Sequence, residues 1–283
     1  MRRSRRIVAV TKILTDHPYE LISLNYFADR FEAAKSTISE DLSIIKQVFT
    51  KEKMGKIETV SGAAGGVRFI PRKSKGEVKE TVDHLCQQLS DPDRILPGGY
   101  IYMTDLIFAP DLMSDVGEIF ATQFSELEAD YVITMETKGI PIALMTARAL
   151  NLPLVSIRRD SRVTEGSVVS INYVTGSSQK IETMSLARRA LPEESRVIII
   201  DDFMKAGGTA KGMLDLMAEF KAEVLDIGVL VETAVPKDKL VNDYTSLVVL
   251  QEVNQTEDKI KVEPSSWVVN LSSERGEQSG ERD

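Results

Sequence analysis

The stretch Arg196-Val197-Ile198-Ile199-Ile200-Asp201-Asp202-Phe203-Met204-Lys205-Ala206-Gly207-Gly208-Thr209 decides how this 283-residue chain folds. Its four β-branched residues, Val197 to Ile200, predict a strand buried on both faces, the pattern of a parallel sheet. Two carboxylates stand at the strand's carboxyl end, and a small loop from Lys205 to Thr209 follows. Met213, Leu214, Met217 and Phe220 then recur at helical spacing. Strand, acidic pair, glycine turn and helix start mark the place where open α/β sheets bind ligands. The glycines let backbone amides approach an oxyanion closely, and the helix end favours its charge. Asp201 and Asp202 cannot hold that anion themselves, but they suit a pair of sugar hydroxyls.

The order of the parts is not that of a P-loop. Gly-x-x-x-x-Gly-Lys-Ser/Thr is absent, and the acids precede the loop. The stretch is similar to the phosphoribosyl-pyrophosphate (PRPP) signature of type I phosphoribosyltransferases. That resemblance implies that Asp201 and Asp202 contact the ribose hydroxyls and that Lys205, Ala206, Gly207, Gly208 and Thr209 cradle the 5′-phosphate. Phe203 reads either as a pocket wall that stacks on a base or as packing under the sheet edge. Glu136-Thr137-Lys138-Gly139 stands at another strand end, where those enzymes receive pyrophosphate on a backbone loop. Arg158 and Arg159 end the next strand, where a basic pair would neutralise the pyrophosphate; aspartates on the same rim are their alternative partners.

Around this stretch the chain alternates in the βα manner from Gly98 onward. Short β segments are expected at Tyr100 to Met103 and Leu106 to Ala109. A helix should start at Pro110, a strand run from Asp130 to Glu136, a turn span Thr137 to Pro141 and a helix follow from Ile142 to Leu150. A strand from Pro153 to Arg159 precedes a polar loop or hairpin, Val163 to Lys180, of the kind that closes over ligands. Further strands are expected at Val224 to Glu232, Leu247 to Val253 and Lys259 to Trp267. Residues 77–91 read as a helix carrying His84 on its surface and Cys86 as a small apolar residue. One cysteine excludes an internal disulfide framework and suits a reducing cytoplasm. No His/Cys/Asp cluster has metal-ligand spacing.

Charge separates the amino-terminal quarter from the rest. Residues 1–75 hold 15 Lys and Arg against 8 Asp and Glu, a net +7, which leaves −15 in a chain whose total is −8. A basic head on an acidic body predicts a polyanion-binding module. Ile7, Val10, Thr11 and Leu14 define one helical face. Ser23 is a candidate cap for a second helix with Leu24, Phe27, Ala28 and Phe31 inward. Ala33 to Ser36 reads as a turn, and Thr37 with Glu40 as the capping box of a third helix that buries Ile38, Leu42, Ile45 and Phe49. A glycine-tipped hairpin over residues 56–71 has the length of a wing. Three helices and a wing make a winged helix. Its DNA reading places Lys35, Ser36, Thr37, Ser39, Ser43 and Lys46 of the third helix in the major groove. Arg2, Arg3, Arg5, Arg6, Lys56 and Arg68 would then meet phosphates or the minor groove. A protein-interaction module is the alternative reading of such a domain.

Three stretches, residues 136–143, 159–174 and 197–209, make the whole chain resemble the purine operon repressors of Gram-positive bacteria. The fold this implies is α/β. A winged helix-turn-helix domain (1–74) precedes a phosphoribosyltransferase-like domain (75–271) with a mainly parallel sheet flanked by helices, and 272–283 form a disordered tail. The resemblance further implies a cytoplasmic homodimer that binds double-stranded operator DNA and represses purine synthesis and transport genes. PRPP, with Mg²⁺ on its pyrophosphate, would be the inducer, and guanosine tetraphosphate a competitor for the same pocket. In 6-oxopurine phosphoribosyltransferases an aspartate near purine N7 stands where this chain has Lys205, a poor base at neutral pH. A receptor without turnover is therefore expected. An active purine phosphoribosyltransferase and an RNA-binding attenuator are the competing readings.

Overall fold

A computed structural model describes residues 1–62, 64–160, 166–175 and 180–271. The basic head consists of α1 (Arg3–Asp16), α2 (Leu24–Phe31), α3 (Lys35–Lys51) and the antiparallel hairpin β1 (Lys56–Val60) with β2 (Gly66–Ile70). Ser23 caps α2 by accepting from the Tyr26 amide at 3.2 Å. The capping box expected at Thr37 and Glu40 does not form. Ala34 is the extended N-cap of α3, and its carbonyl already accepts from the Ile38 amide. Lys35 and Ser36 are therefore helical rather than part of a turn, and Thr37 lies inside the first turn of the helix rather than at its cap. Val10, Leu14, Phe27, Ile38, Ile45 and Val67 pack as one core, and Ile22 pairs with Val67 to add a third short rung to the wing.

The body begins with α4 (Lys75–Leu89), fixed by a capping box between Ser74 and Glu77. It continues through β3 (Ile95–Leu96), β4 (Tyr100–Ile101), α5 (Thr104–Ile107), α6 (Pro110–Gln123), β5 (Tyr131–Met135), α7 (Gly139–Leu150) and β6 (Leu154–Ile157). The hairpin β7 (Val168–Val174) and β8 (Ile181–Ala187) precedes β9 (Arg196–Met204), α8 (Gly208–Glu219), β10 (Glu223–Thr233), β11 (Thr245–Asn254), β12 (Lys259–Pro264) and α9 (Ser266–Asn270). Six strands form one sheet in the order β12-β11-β10-β9-β5-β6, parallel throughout except for β11 against β12. Strand alternation sends Ile198 and Ile200 into the core under α4, α6 and α7. Val197 and Ile199 face the core under α8 and the β7–β8 hairpin. Strand order reverses between β5 and β9, so their carboxyl ends open the crevice where such sheets bind ligands.

Several boundaries differ from the sequence expectation. Leu106 to Ala109 are not a strand. Ile107 and Phe108 donate to the Met103 and Thr104 carbonyls, and the buried Leu106 and Ile107 seat α5 on the core. Helix α7 starts at Gly139 rather than Ile142, with Pro141 in its first turn, where a missing amide costs no helical bond. Trp267 belongs to α9, and its indole nitrogen donates to the Ser246 carbonyl at 2.6 Å. Of the expected loop over 163–180, residues 168–174 are strand, whereas 163–165 and 176–179 lie outside the described residues. The expected tail at 272–283 lies outside them too. Among the described residues, no helix is long and apolar enough to cross a membrane.

Candidate ligand pocket and nucleic-acid face

A cavity of about 710 Å³ opens at the carboxyl ends of β9 and β10. Asp201, Asp202, Phe203 and the loop from Lys205 through Thr209 line it, together with Lys138 and Arg159. A second hollow of about 370 Å³, lined by Glu136, Thr137, Lys138, Arg159, Asp201, Asp202, Phe203 and Thr209, adjoins it. The acidic pair therefore stands between the glycine loop and the Thr137–Lys138 turn, with cations at both ends.

The two carboxylates are not equivalent. Asp201 is buried and its Oδ1 accepts from the Asp202 amide at 3.0 Å, while Asp202 is half-buried beside Lys138. Burial, reinforced by the neighbouring charge of Asp202, pushes the Asp201 carboxyl well above the usual carboxylate range. Burial also raises Asp202, against which the hydrogen bond to Asp201 and the charge of Lys138 act. Gly139 lines neither hollow. A Cβ there would collide with Thr134 Oγ1 and lie 3.3 Å from Asp201 Oδ1, so this glycine lets α7 start directly beneath the acidic pair.

The glycine loop is braced from a distant part of the chain. Gly207 takes a positive φ of 80° and caps α8, and the Leu240 amide donates to the Ala206 carbonyl at 2.9 Å. The buried Lys239 ammonium donates to the carbonyls of Thr233 and Pro236, holding the segment that supplies this brace. Gly98 to Ile101 and Leu250 to Val253 form a further wall, linked where Gln255 Nε2 donates to the Leu96 carbonyl at 2.8 Å. The sequence signals none of these contributors, because each becomes a neighbour only once the sheet has assembled.

The arginine pair divides. Arg159 lines both hollows, and its partner is Glu182 at 3.0 Å, not a rim aspartate. Arg158 lines neither; its backbone pairs with Ser185 at the sheet edge. Neighbouring residues alternate along a strand, and of the two only Arg159 lines the described hollows. Among the described residues, no group of three or more His, Cys, Asp or Glu is placed to share a metal ion.

On the head, α3 exposes Lys35, Ser36, Ser39, Ser43 and Lys46, with Thr37 half-buried, and Arg2, Arg3 and Arg5 are exposed at the start of the chain. Arg6 is not available to a ligand. Its Nε donates to Asp41 Oδ2 at 2.5 Å, with both side chains buried, so it fastens α1 to α3. Lys56 and Arg68 on the wing both meet Glu58, which holds that carboxyl below its usual range.

This chain is matched over residues 2–71 by the family of the bacterial purine repressor amino-terminal domain, and over 105–267 by the phosphoribosyl transferase domain family. It is 52% identical over 267 residues to the purine biosynthesis transcriptional repressor PurR of Bacillus subtilis (strain 168), spanning 94% of each chain. The chain belongs to the purine repressor family. That family also includes the purine biosynthesis transcriptional activator PurR of Lactococcus lactis (strain IL1403), 39% identical over 93% of this chain and 97% of that one. The fold of the purine repressor body is shared with a crystal structure of adenine phosphoribosyltransferase from Thermoanaerobacter pseudethanolicus. That likeness has a TM-score of 0.51 and 19% identity, and covers 59% of this chain and 98% of that one.

Proposed function

We propose that this protein is a DNA-binding repressor of purine synthesis and transport genes, relieved when PRPP occupies the pocket at the carboxyl ends of β9 and β10. The observation that carries the reading is the arrangement of Asp201 and Asp202 between the glycine loop and the Lys138–Arg159 side, two phosphate-suited surfaces separated by hydroxyl acceptors. PRPP has that order of groups: a 5′-phosphate, two ribose hydroxyls and a pyrophosphate. Asp202, half-exposed to the cavity, would accept from a ribose hydroxyl; Lys138 and Arg159 would meet the pyrophosphate, whose own Mg²⁺ lowers its charge. Guanosine tetraphosphate, with phosphates at two places on one ribose, fits the same chemistry as a competitor.

Repression rather than activation follows the more similar of the two regulators. The DNA face comprises the exposed residues of α3, the amino-terminal arginines other than Arg6, and the wing. A homodimer in the bacterial cytoplasm presents two such faces to one duplex. Ligand and DNA favour different arrangements of the dimer, so each weakens the other by one shared factor.

Turnover is not part of this reading. Lys205 stands where a proton acceptor serves the 6-oxopurine enzymes, and an ammonium strengthens phosphate binding without accepting a proton. Fluorescence anisotropy of labelled purine-operon control DNA tests the reading directly. Magnesium-PRPP should release the duplex, and Asp202→Ala should keep DNA binding while losing the release. Release from Asp202→Ala at the wild-type PRPP concentration removes the carboxylate assignment. Nucleotide formation from PRPP and hypoxanthine, guanine, xanthine or adenine at an enzyme-like rate makes the protein a transferase instead. Tighter binding to RNA than to duplex DNA makes it an attenuator.

A further inference from the structure

Glu182 on β8 is an acid in the cavity for which a phosphate ligand provides no partner. Its Oε2 accepts twice, from Arg159 Nη1 at 3.0 Å and from Tyr173 Oη at 2.9 Å. Tyr173 itself lines the larger hollow together with the glycine loop. Arg159 lines this hollow and the adjoining smaller one. One carboxylate is thus held between the guanidinium of the pocket and a hydroxyl of its wall. The hairpin that carries it is firmly placed. Tyr173 and Glu182 are register partners across β7 and β8, and a Cβ on Gly212 of α8 would lie only 3.0 Å from Tyr173 Cβ. Burial and the neighbouring Glu182 push the Tyr173 hydroxyl up to about 12, so it stays a donor.

We propose that Glu182 is a resident anion that occupies Arg159 in the ligand-free pocket, setting the concentration at which a diphosphate-bearing ligand can enter. This rests on the reading of the cavity as a PRPP site. A carboxylate and a phosphate oxygen compete for the same guanidinium donors. A ligand whose diphosphate reaches Arg159 must displace Glu182 and then tolerate its charge nearby. PRPP meets that cost with contacts along the whole cavity. Free diphosphate lacks them and is held out. A ligand ending at the glycine loop, such as ribose 5-phosphate, leaves the Arg159–Glu182 pair intact.

Calorimetry on the full-length protein tests this with three probes: magnesium-PRPP, magnesium diphosphate and ribose 5-phosphate. Glu182→Gln keeps the shape and removes the charge. It should tighten both diphosphate-bearing probes by about two- to fivefold, the scale of a partly exposed ion pair, and change ribose 5-phosphate by clearly less. Tyr173→Phe, which loosens Glu182 without altering charge, should shift the same two probes in the same direction by a smaller factor; it keeps the test usable if the first variant folds poorly. Unchanged or weaker diphosphate binding in the variants overturns the proposal, as does an equal gain for ribose 5-phosphate, which would reflect only the general field of the pocket. Wild-type protein that binds no PRPP at all is a different failure, that of the pocket's reading.

Discussion

Asp201 is an acid kept where acids are costly. Its raised pKa means that the native state holds the proton more tightly than the unfolded chain does. As pH rises through the folded value, a buried group must ionise, and the stability it contributed at lower pH is lost. Asp201→Asn should therefore raise the melting temperature of ligand-free protein at neutral pH, at roughly 2–4 °C per kcal/mol for a domain of this size. Its advantage should shrink as the pH is lowered, and PRPP binding should be lost. Melting curves across the pH range with calorimetry check both parts, and a pH-independent advantage counts against the ionisation argument. Gly139→Ala is the steric counterpart. Its methyl group has no space beside Thr134 and Asp201, so ligand affinity should fall by at least about tenfold, with a lower melting temperature as α7 shifts.

At the scale of elements, the head sorts its cations into two classes by burial. Arg6→Ala should lower the melting temperature of the head by unfastening α1 from the buried Asp41, yet leave the salt slope of DNA binding unchanged. Lys46→Ala should weaken DNA binding and reduce the slope by about one. Glu58→Gln should strengthen binding by freeing Lys56 and Arg68, and a loss of affinity would place Glu58 in the interface itself. Titrations at several salt concentrations separate these outcomes. The same comparison shows what was legible in the sequence. β9, the helical faces of the head and the wing were readable because each is a local signal: an unbroken β-branched run, a period of about 3.6, and two short strands around a glycine turn. The start of α3 was misplaced because Thr37 and Glu40 copy a capping box one turn inside the helix, while the true N-cap, Ala34, offers no side-chain signal. Helix α5 was mistaken for strand because four apolar residues cannot distinguish the two. Strand β8 was hidden in a mixed polar run, and with it Glu182. The brace at Leu240 and the wall at Leu250 to Val253 depend on sheet order, which no local pattern encodes.

At the scale of the whole molecule, the head meets the body through the junction before α4. Lys73, largely buried, pairs with Asp115 at 2.7 Å and Glu118 at 3.3 Å on α6, and its amide donates to Thr122. Helix α6 lies close on α7 because Gly117 admits the Met145 backbone, and α7 begins at the Lys138 turn of the pocket. These contacts link the pocket to the head through packed elements. Lys73→Ala should leave the separate affinities for operator DNA and PRPP within about twofold while reducing the factor by which each weakens the other. Equal loss of both affinities would mean that Lys73 merely holds the fold together.

The antiparallel pairing of β12 with β11 completes the sheet, and β12 is translated after every other strand in it. The head, whose core ends at Phe69, has every one of its contacts available while most of the body is still being translated. Each newly made chain thus passes through an interval in which the head can fold before the pocket exists. A stop codon between the head and β5 would make that interval permanent, leaving a polypeptide with the head's core and none of the sheet that builds the pocket.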